Sequence, residues 1–130
     1  MKSLQDYMND RQTALFNETG SFFAFSEKQY QEARKEGVTY VSLDAGLICP
    51  KETAQKLIDG LEQIYQESIQ QDIAENGAEA IIKRELHNHE CFYTGSFSDA
   101  KNRLSAYNFP KELWVKVWRE EWRTYAESDN

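Results

Sequence analysis

Apolar residues recur every three or four positions along most of the chain, a period that predicts helices. The clearest run starts at Pro50. Ala54, Leu57, Ile58, Leu61, Ile64, Tyr65, Ile69 and Ile73 repeat to about Ala74, with Lys56, Glu62, Glu67 and Asp72 assigned to the opposite side. Proline suits a first helical turn, where its missing N–H has no partner to lose. Asn76-Gly77 breaks the pattern, and a second helix is expected from about Ala78 to Tyr93, with Ile81, Ile82, Leu86 and His89 inward. Near the N-terminus Ser3 is a suitable cap for a helix to about Asn17, with Leu4, Tyr7, Met8, Arg11, Leu15 and Phe16 on roughly one face and Thr19-Gly20 as its end. Ser26-Glu27-Lys28-Gln29 has the form of a capping box and predicts a helix that stops at Gly37. Ser98 is expected to cap a helix through Tyr107, and a last helix should run from Lys111 to about Ala126 beyond the corner Asn108-Phe109-Pro110.

Between the first helices the period shortens. Phe22 to Phe25 reads as a buried strand, Val38 to Leu43 as a second, and Leu47-Ile48-Cys49 as a third after the turn Asp44-Ala45-Gly46. The expected fold is therefore α+β and mostly helical, with a small two- or three-stranded sheet from residues 22–49 covered by five or six helices. A chain of 130 residues has the size of a single domain, 1–130, and can build a core without metal or disulfide. The tail Glu127-Ser128-Asp129-Asn130 is expected to fray.

Composition narrows the classes. Aromatic residues make up 13% of the chain, which argues against disorder. No apolar run approaches the roughly 18 residues of a membrane span, and Met1 to Asp6 lacks the apolar core of a signal peptide. The expectation is a cytoplasmic protein with no membrane association. Cys49 and Cys91 are expected to be free thiols in a reducing compartment, and no Cys-x-x-Cys pair is present.

The net charge of −7 opposes casual contact with phosphates and suits a basic partner surface, although solubility alone accounts for such a value. The excess is uneven: residues 51–90 hold nine acids and four bases, and residues 99–129 hold six of each. Glu62, Glu67, Asp72, Glu75 and Glu79 read as the densest run of unpaired acid on exposed helix positions, and hence as candidate contacts for a host protein with a basic surface.

Few residues suggest catalysis. His87 and Cys91 are four apart, and Glu90 is three from His87, so on a helix they could hold a divalent ion. His89 points elsewhere and no second ligand group is identifiable, so the expectation is an ordinary helix and no metal site. Cys49 precedes the Pro50 helix, and a helix N-terminus lowers a thiol pKa, but no base or orienting partner can be chosen for it. No Gly-x-Ser-x-Gly, phosphate loop or dinucleotide fingerprint appears. No cofactor and no enzymatic activity are expected, with a metal-dependent enzyme around His87 and Cys91 as the last alternative.

The C-terminal helix is the most unusual feature. Trp114, Trp118 and Trp122 are spaced by four, Val115, Val117 and Tyr125 widen the apolar surface, and Lys116, Arg119 and Arg123 lie beside it. Three readings remain open: a stripe that faces the core, a recognition ridge using Trp118, Arg119, Trp122 and Arg123, or a stacking platform for single-stranded RNA. Glu112, Glu120 and Glu121 count against the last. Because the helix enters from the Phe109-Pro110 corner, its first turns should be the packed ones, which places Trp114 inside and Trp122 at the edge.

Several phrases also carry a resemblance. Leu4-Gln5-Asp6-Tyr7-Met8-Asn9, Phe22-Phe23-Ala24-Phe25-Ser26, Tyr40-Val41-Ser42-Leu43, Gly46-Leu47-Ile48-Cys49-Pro50, Ile81-Ile82-Lys83-Arg84-Glu85-Leu86 and Tyr93-Thr94-Gly95 together resemble small proteins of phages and mobile elements of Bacteroidota. The likeness covers roughly residues 4 to 110 and brings no catalytic motif. The chain departs from it at Asn108, where glycine is expected, and in its tryptophan-rich C-terminus. The resemblance implies an antagonist of host defence of the anti-CRISPR kind, acting in the bacterial host's cytoplasm by binding an RNA-guided, RNA-cleaving (type VI) nuclease or its guide-RNA complex. The alternative from another class is a small RNA-binding or RNA-remodelling accessory protein using the last helix.

Overall fold

Helix boundaries in the computed structural model, which describes residues 1–88, 91 and 95–128, follow local hydrogen-bond chemistry. Helix α1 spans Leu4–Thr19. The Ser3 hydroxyl accepts from Asp6 N at 3.3 Å, and the Asp6 carboxylate accepts from Ser3 N at 2.8 Å. This reciprocal cap holds the Asp6 carboxyl below its usual range, chiefly through the Ser3 backbone bond. Gly20 ends the helix at φ 76°, a left-handed conformation that a side chain disfavours.

Helix α2 is shorter than expected, Glu27–Ala33. Its Ser26 cap forms as expected, with Gln29 N donating at 3.2 Å and the Gln29 amide oxygen accepting from Phe25 N. It stops early because Arg34 is extended and Lys35 N donates to the Tyr40 hydroxyl at 3.0 Å. Three strands follow the expected pattern: β1 (Phe22–Phe23), β2 (Tyr40–Ser42) and β3 (Leu47–Pro50). They pair antiparallel in the order β1-β3-β2, with Phe22 opposite Ile48 and Val41 opposite Cys49.

Pro50 closes β3 instead of opening a helix, and a 3-10 turn at Lys51–Thr53 leads into α3 (Ala54–Asn76). Helix α4 covers Ala78–Asn88; of the expected continuation to Tyr93, Cys91 is helical and residues 89, 90, 92 and 93 fall outside the described residues. Helix α5 is Ser98–Arg103, with Ser98 inside it and Phe97 as cap. The Ser96 hydroxyl accepts from Ser98 N at 3.2 Å, so the capping oxygen comes from two residues earlier than expected. A 3-10 turn, Ser105–Tyr107, ends at Asn108 in the left-handed region, and α6 spans Lys111–Ser128. Asparagine is the commonest non-glycine residue to tolerate that conformation. The architecture is the mostly helical α+β fold that the sequence predicts.

The chain resolves into two compact units, Lys2–Ser68 and Ile69–Asn130 (with Met1). In the first, Met8 and Leu15 of α1, Leu47 and Cys49 of β3, and Leu57 and Ile64 of α3 form the core. Gly60 permits this packing: a Cβ there would lie 2.7 Å from Leu15 Cδ2, closer than carbon atoms tolerate. Ile58, expected in the apolar stripe, is exposed instead. In the second unit α4 packs on α5 and α6, burying Ile81, Ile82, Leu86, Ala100, Leu104, Trp114 and Val117. Among the described residues no helix is long and apolar enough to cross a membrane.

Candidate functional site

Helix α6 starts where the Pro110 carbonyl accepts from Leu113 N at 3.0 Å. Steps of four residues along an α-helix drift by about 40° each, so tryptophans spaced by four cannot all face one core. Trp114 is 2% exposed, Trp118 half-buried and Trp122 40% exposed. Aromatic contacts carry this series outward. Phe97 stacks on Trp114 (centroids 6.0 Å apart, planes at 11°) and tilts against Trp118 at 5.5 Å. Trp118 meets Trp122 at 5.4 Å, and Trp122 meets the exposed Tyr125 at 6.0 Å. Each ring thus touches a neighbour, and Trp122 and Tyr125 form the exposed end of the series.

Arg119 and Arg123 are both exposed on this helix. A depression of about 560 Å³ runs along the adjoining face, lined by Lys111, Glu112, Val115, Lys116, Arg119 and Glu120. Lys116 donates to the Glu79 carboxylate at 2.8 Å, which raises the lysine pKa and lowers the glutamate pKa. Glu121 lies 3.4 Å from Lys83 Nζ and 3.4 Å from His87 Nε2.

The acidic candidates divide. Asp72 is not a surface acid: it is 0% exposed. Its Oδ1 and Oδ2 accept from Arg84 Nη1 and Nη2 at 3.1 and 2.9 Å, from Asn76 at 2.8 Å, and from the Tyr107 hydroxyl at 2.6 Å. Burial alone would raise its pKa, but the bonds from Arg84, Tyr107 and Asn76 outweigh it and hold the carboxyl below its usual range. Tyr107 is pushed up, first by burial and then by Asp72. Glu67 is paired with Arg11 and also accepts from Gln63, and Glu79 is paired with Lys116, so neither is unpaired as expected. Glu62 is exposed and accepts from Gln66; Glu75 is exposed and accepts from Gln71.

The residues considered for catalysis do not assemble. Cys49 is fully buried inside β3 and separated from α3 by the 3-10 turn, so it does not sit at a helix N-terminus as expected. Cys91 is buried, and burial pushes its thiol pKa up. His87 is exposed beside Glu121, so it and Cys91 occupy different environments. His89 and Glu90 lie outside the described residues. Among the described residues no group of three or more His, Cys, Asp or Glu side chains could hold a metal ion.

A family model matches residues 4–127. The chain belongs to a family of unknown function, DUF7659. The DUF7659 match extends beyond the 4–110 span of the sequence resemblance and takes in nearly all of α6. The displayed tryptophan helix therefore lies within the family's extent. No curated protein and no solved structure matches the chain.

Proposed function

We propose that this protein acts without catalysis, by binding a partner protein through the distal half of α6. The observation that supports this is the outward progression from buried Trp114 to exposed Trp122 and Tyr125, with Arg119 and Arg123 exposed on the same helix. Tryptophan, tyrosine and arginine are enriched at binding hot spots, and the two aromatic types bring large contact area at small rotamer cost. Trp122 and Tyr125 already touch neighbouring rings, which lowers the freedom they lose on association. The identity of the partner as an RNA-guided nuclease of a bacterial host rests on the sequence resemblance alone. In that reading the protein is a host-defence antagonist of the anti-CRISPR kind.

The test is co-purification with a type VI nuclease charged with its guide RNA, using the wild type and Trp122→Ala. Wild type should be retained and should block RNA cleavage; Trp122→Ala should lose both while keeping its fold. Equal retention of the two proteins would move the contact away from α6, and no retention of the wild type would remove the nuclease as partner.

A second reading, an RNA-binding accessory protein, draws on the same exposed arginines beside Trp122 and Tyr125. Direct binding of single-stranded RNA by the protein alone, weakening steeply with salt, would favour it over the protein contact.

A further inference from the structure

The unit Lys2–Ser68 contains a hollow that the α6 reading does not use. Gly20, Phe22, Ala33, Lys35, Val38, Tyr40, Pro50, Glu52 and Thr53 enclose about 260 Å³. A second hollow of about 230 Å³ shares Val38, Pro50 and Glu52 as a common rim. From this geometry we infer that the hollow is a binding site for a small zwitterion with an apolar side group, the class of a free amino acid such as phenylalanine or leucine.

The apolar walls are set before any ligand arrives. Tyr40 lies in β2 opposite Pro50. Its ring meets Phe22 edge-on, with centroids 5.4 Å apart and planes at 71°, and meets Tyr30 at 6.1 Å and 85°. Its hydroxyl accepts from Lys35 N, so both ends of the side chain are fixed. Gly20 completes the wall: a Cβ there would lie 3.3 Å from Pro50 Cγ, so the missing side chain lets α1 end against the proline ring. A fixed aromatic and proline surface favours a flat or branched apolar group without an ordering cost.

The polar groups define the rest of the ligand. The Thr53 hydroxyl is already committed, donating to the Thr19 carbonyl at 2.7 Å. That leaves one cation, Lys35, and one anion, Glu52, on the lining. Neither side chain has an ion-pair partner among the described residues. Tyr40 accepts one bond but keeps a hydroxyl proton for which no described residue is the acceptor, and Lys35 is the residue that holds its oxygen. The Lys35 ammonium and the Tyr40 hydroxyl are complementary to a carboxylate, and Glu52, which lines the same hollow as Phe22 and Tyr40, is complementary to an ammonium. A ligand carrying both charges satisfies both sides; a ligand with one charge leaves the other side to solvent.

The test is an amide-resolved NMR titration of the full chain with phenylalanine, 3-phenylpropionate and phenethylamine. Phenylalanine should shift the amides of Lys35, Val38, Tyr40, Glu52 and Thr53, and should bind at least about tenfold more tightly than either analogue lacking one charge. Lys35→Met and Glu52→Gln alter exposed side chains, and the spectrum of each free variant reports whether the fold is intact. Lys35→Met should make phenylalanine no better than phenethylamine, and Glu52→Gln should make it no better than 3-phenylpropionate. Absence of shifts at these amides with millimolar phenylalanine, leucine and isoleucine would overturn the inference. So would equal binding of all three phenyl compounds to the wild type. Neither result would bear on partner binding by α6.

Discussion

Replacing Asp72 by alanine tests the buried polar cluster of the C-terminal unit most directly. Asp72 has no exposed surface and the Arg84 side chain keeps only 9% of its own. The substitution removes two parallel bonds from the guanidinium and the acceptor of the Tyr107 hydroxyl, leaving Glu85 Oε1 at 3.3 Å from Arg84 Nε. Breaking one side of such a buried pair costs about 3–5 kcal/mol, because the remaining charge stays desolvated. Tyr107→Phe removes one bond to an ionised acceptor that keeps three others, and should cost about 1.5–3 kcal/mol. The pH dependence follows from the depressed Asp72 pKa. As pH falls, the unfolded chain takes up a proton on Asp72 before the folded chain does. The stabilisation is therefore complete above the unfolded value near 3.9 and is lost progressively below it. Urea unfolding of wild type and Asp72→Asn between pH 7 and 2 should give a stability gap that shrinks only at the acid end. A gap for Asp72→Ala under about 1 kcal/mol at pH 7 would place this pair among weak surface contacts and refute the account; so would a gap for Asp72→Asn that persists unchanged at pH 2.

Trp114→Ala should lower stability by about 3–5 kcal/mol, whereas Trp122→Ala should leave the thermal midpoint nearly unchanged; equal losses would make the whole stripe core. Gly60→Ala should destabilise the N-terminal unit by about 1–3 kcal/mol through overpacking against Leu15, and Gly60→Ala with Leu15→Val should recover part of that loss if the clash is the cause. Cys49 and Cys91, both buried, should react with a thiol reagent only after unfolding; labelling of the native protein within seconds would show that one of them is accessible.

Features set by neighbours in sequence were legible from the residues alone. Ser3, Ser26 and Gly20 act over three or four positions, and each sits at the helix end expected of it. The three strands were legible because each run is short and apolar or β-branched, with helix α2 separating the first two and the turn Asp44-Ala45-Gly46 the last two; their pairing order was not. Asp72 shows how a correct rule can be overridden by residue type. It follows Ser68 by one turn and lies about 60° around the helix from Leu57, within the buried stripe. Its charge suggested the solvent side, whereas Ile58, at about 100° from Leu57, is exposed. What stabilises the inward carboxylate is Arg84 on another helix and Tyr107 beyond it, and no local pattern pairs those positions. Pro50 was misplaced for a similar reason: its fixed φ of −55° suits a strand end as well as a first turn, and pairing with Tyr40 decides between them. The aromatic hollow depends on Phe22, Tyr40 and Pro50, which come from three strands, so only the sheet register reveals it.

The charge of the chain is a weaker guide to its contact surface than its sum suggests. Glu18 is paired with Lys56, Glu67 with Arg11, Glu79 with Lys116, and Glu121 with Lys83. Much of the acid that the sequence counts as available already faces a base within the protein. If acids of residues 62–79 carried partner binding, those pairs would have to open or be shared, and affinity would fall steeply with salt as the exposed charges are screened. If the rings of Trp122 and Tyr125 carry it, burial of apolar area dominates and salt acts mainly on the association rate. Raising ionic strength from about 0.05 to 0.5 M shortens the screening length from roughly 14 to 4 Å. The α6 reading predicts that the dissociation rate of the complex changes by less than about threefold over this range. It also predicts that Glu62→Gln with Glu75→Gln leaves the affinity within the same margin. A dissociation rate that rises in step with salt and a large loss in the double variant would transfer the contact from the tryptophan helix to α3.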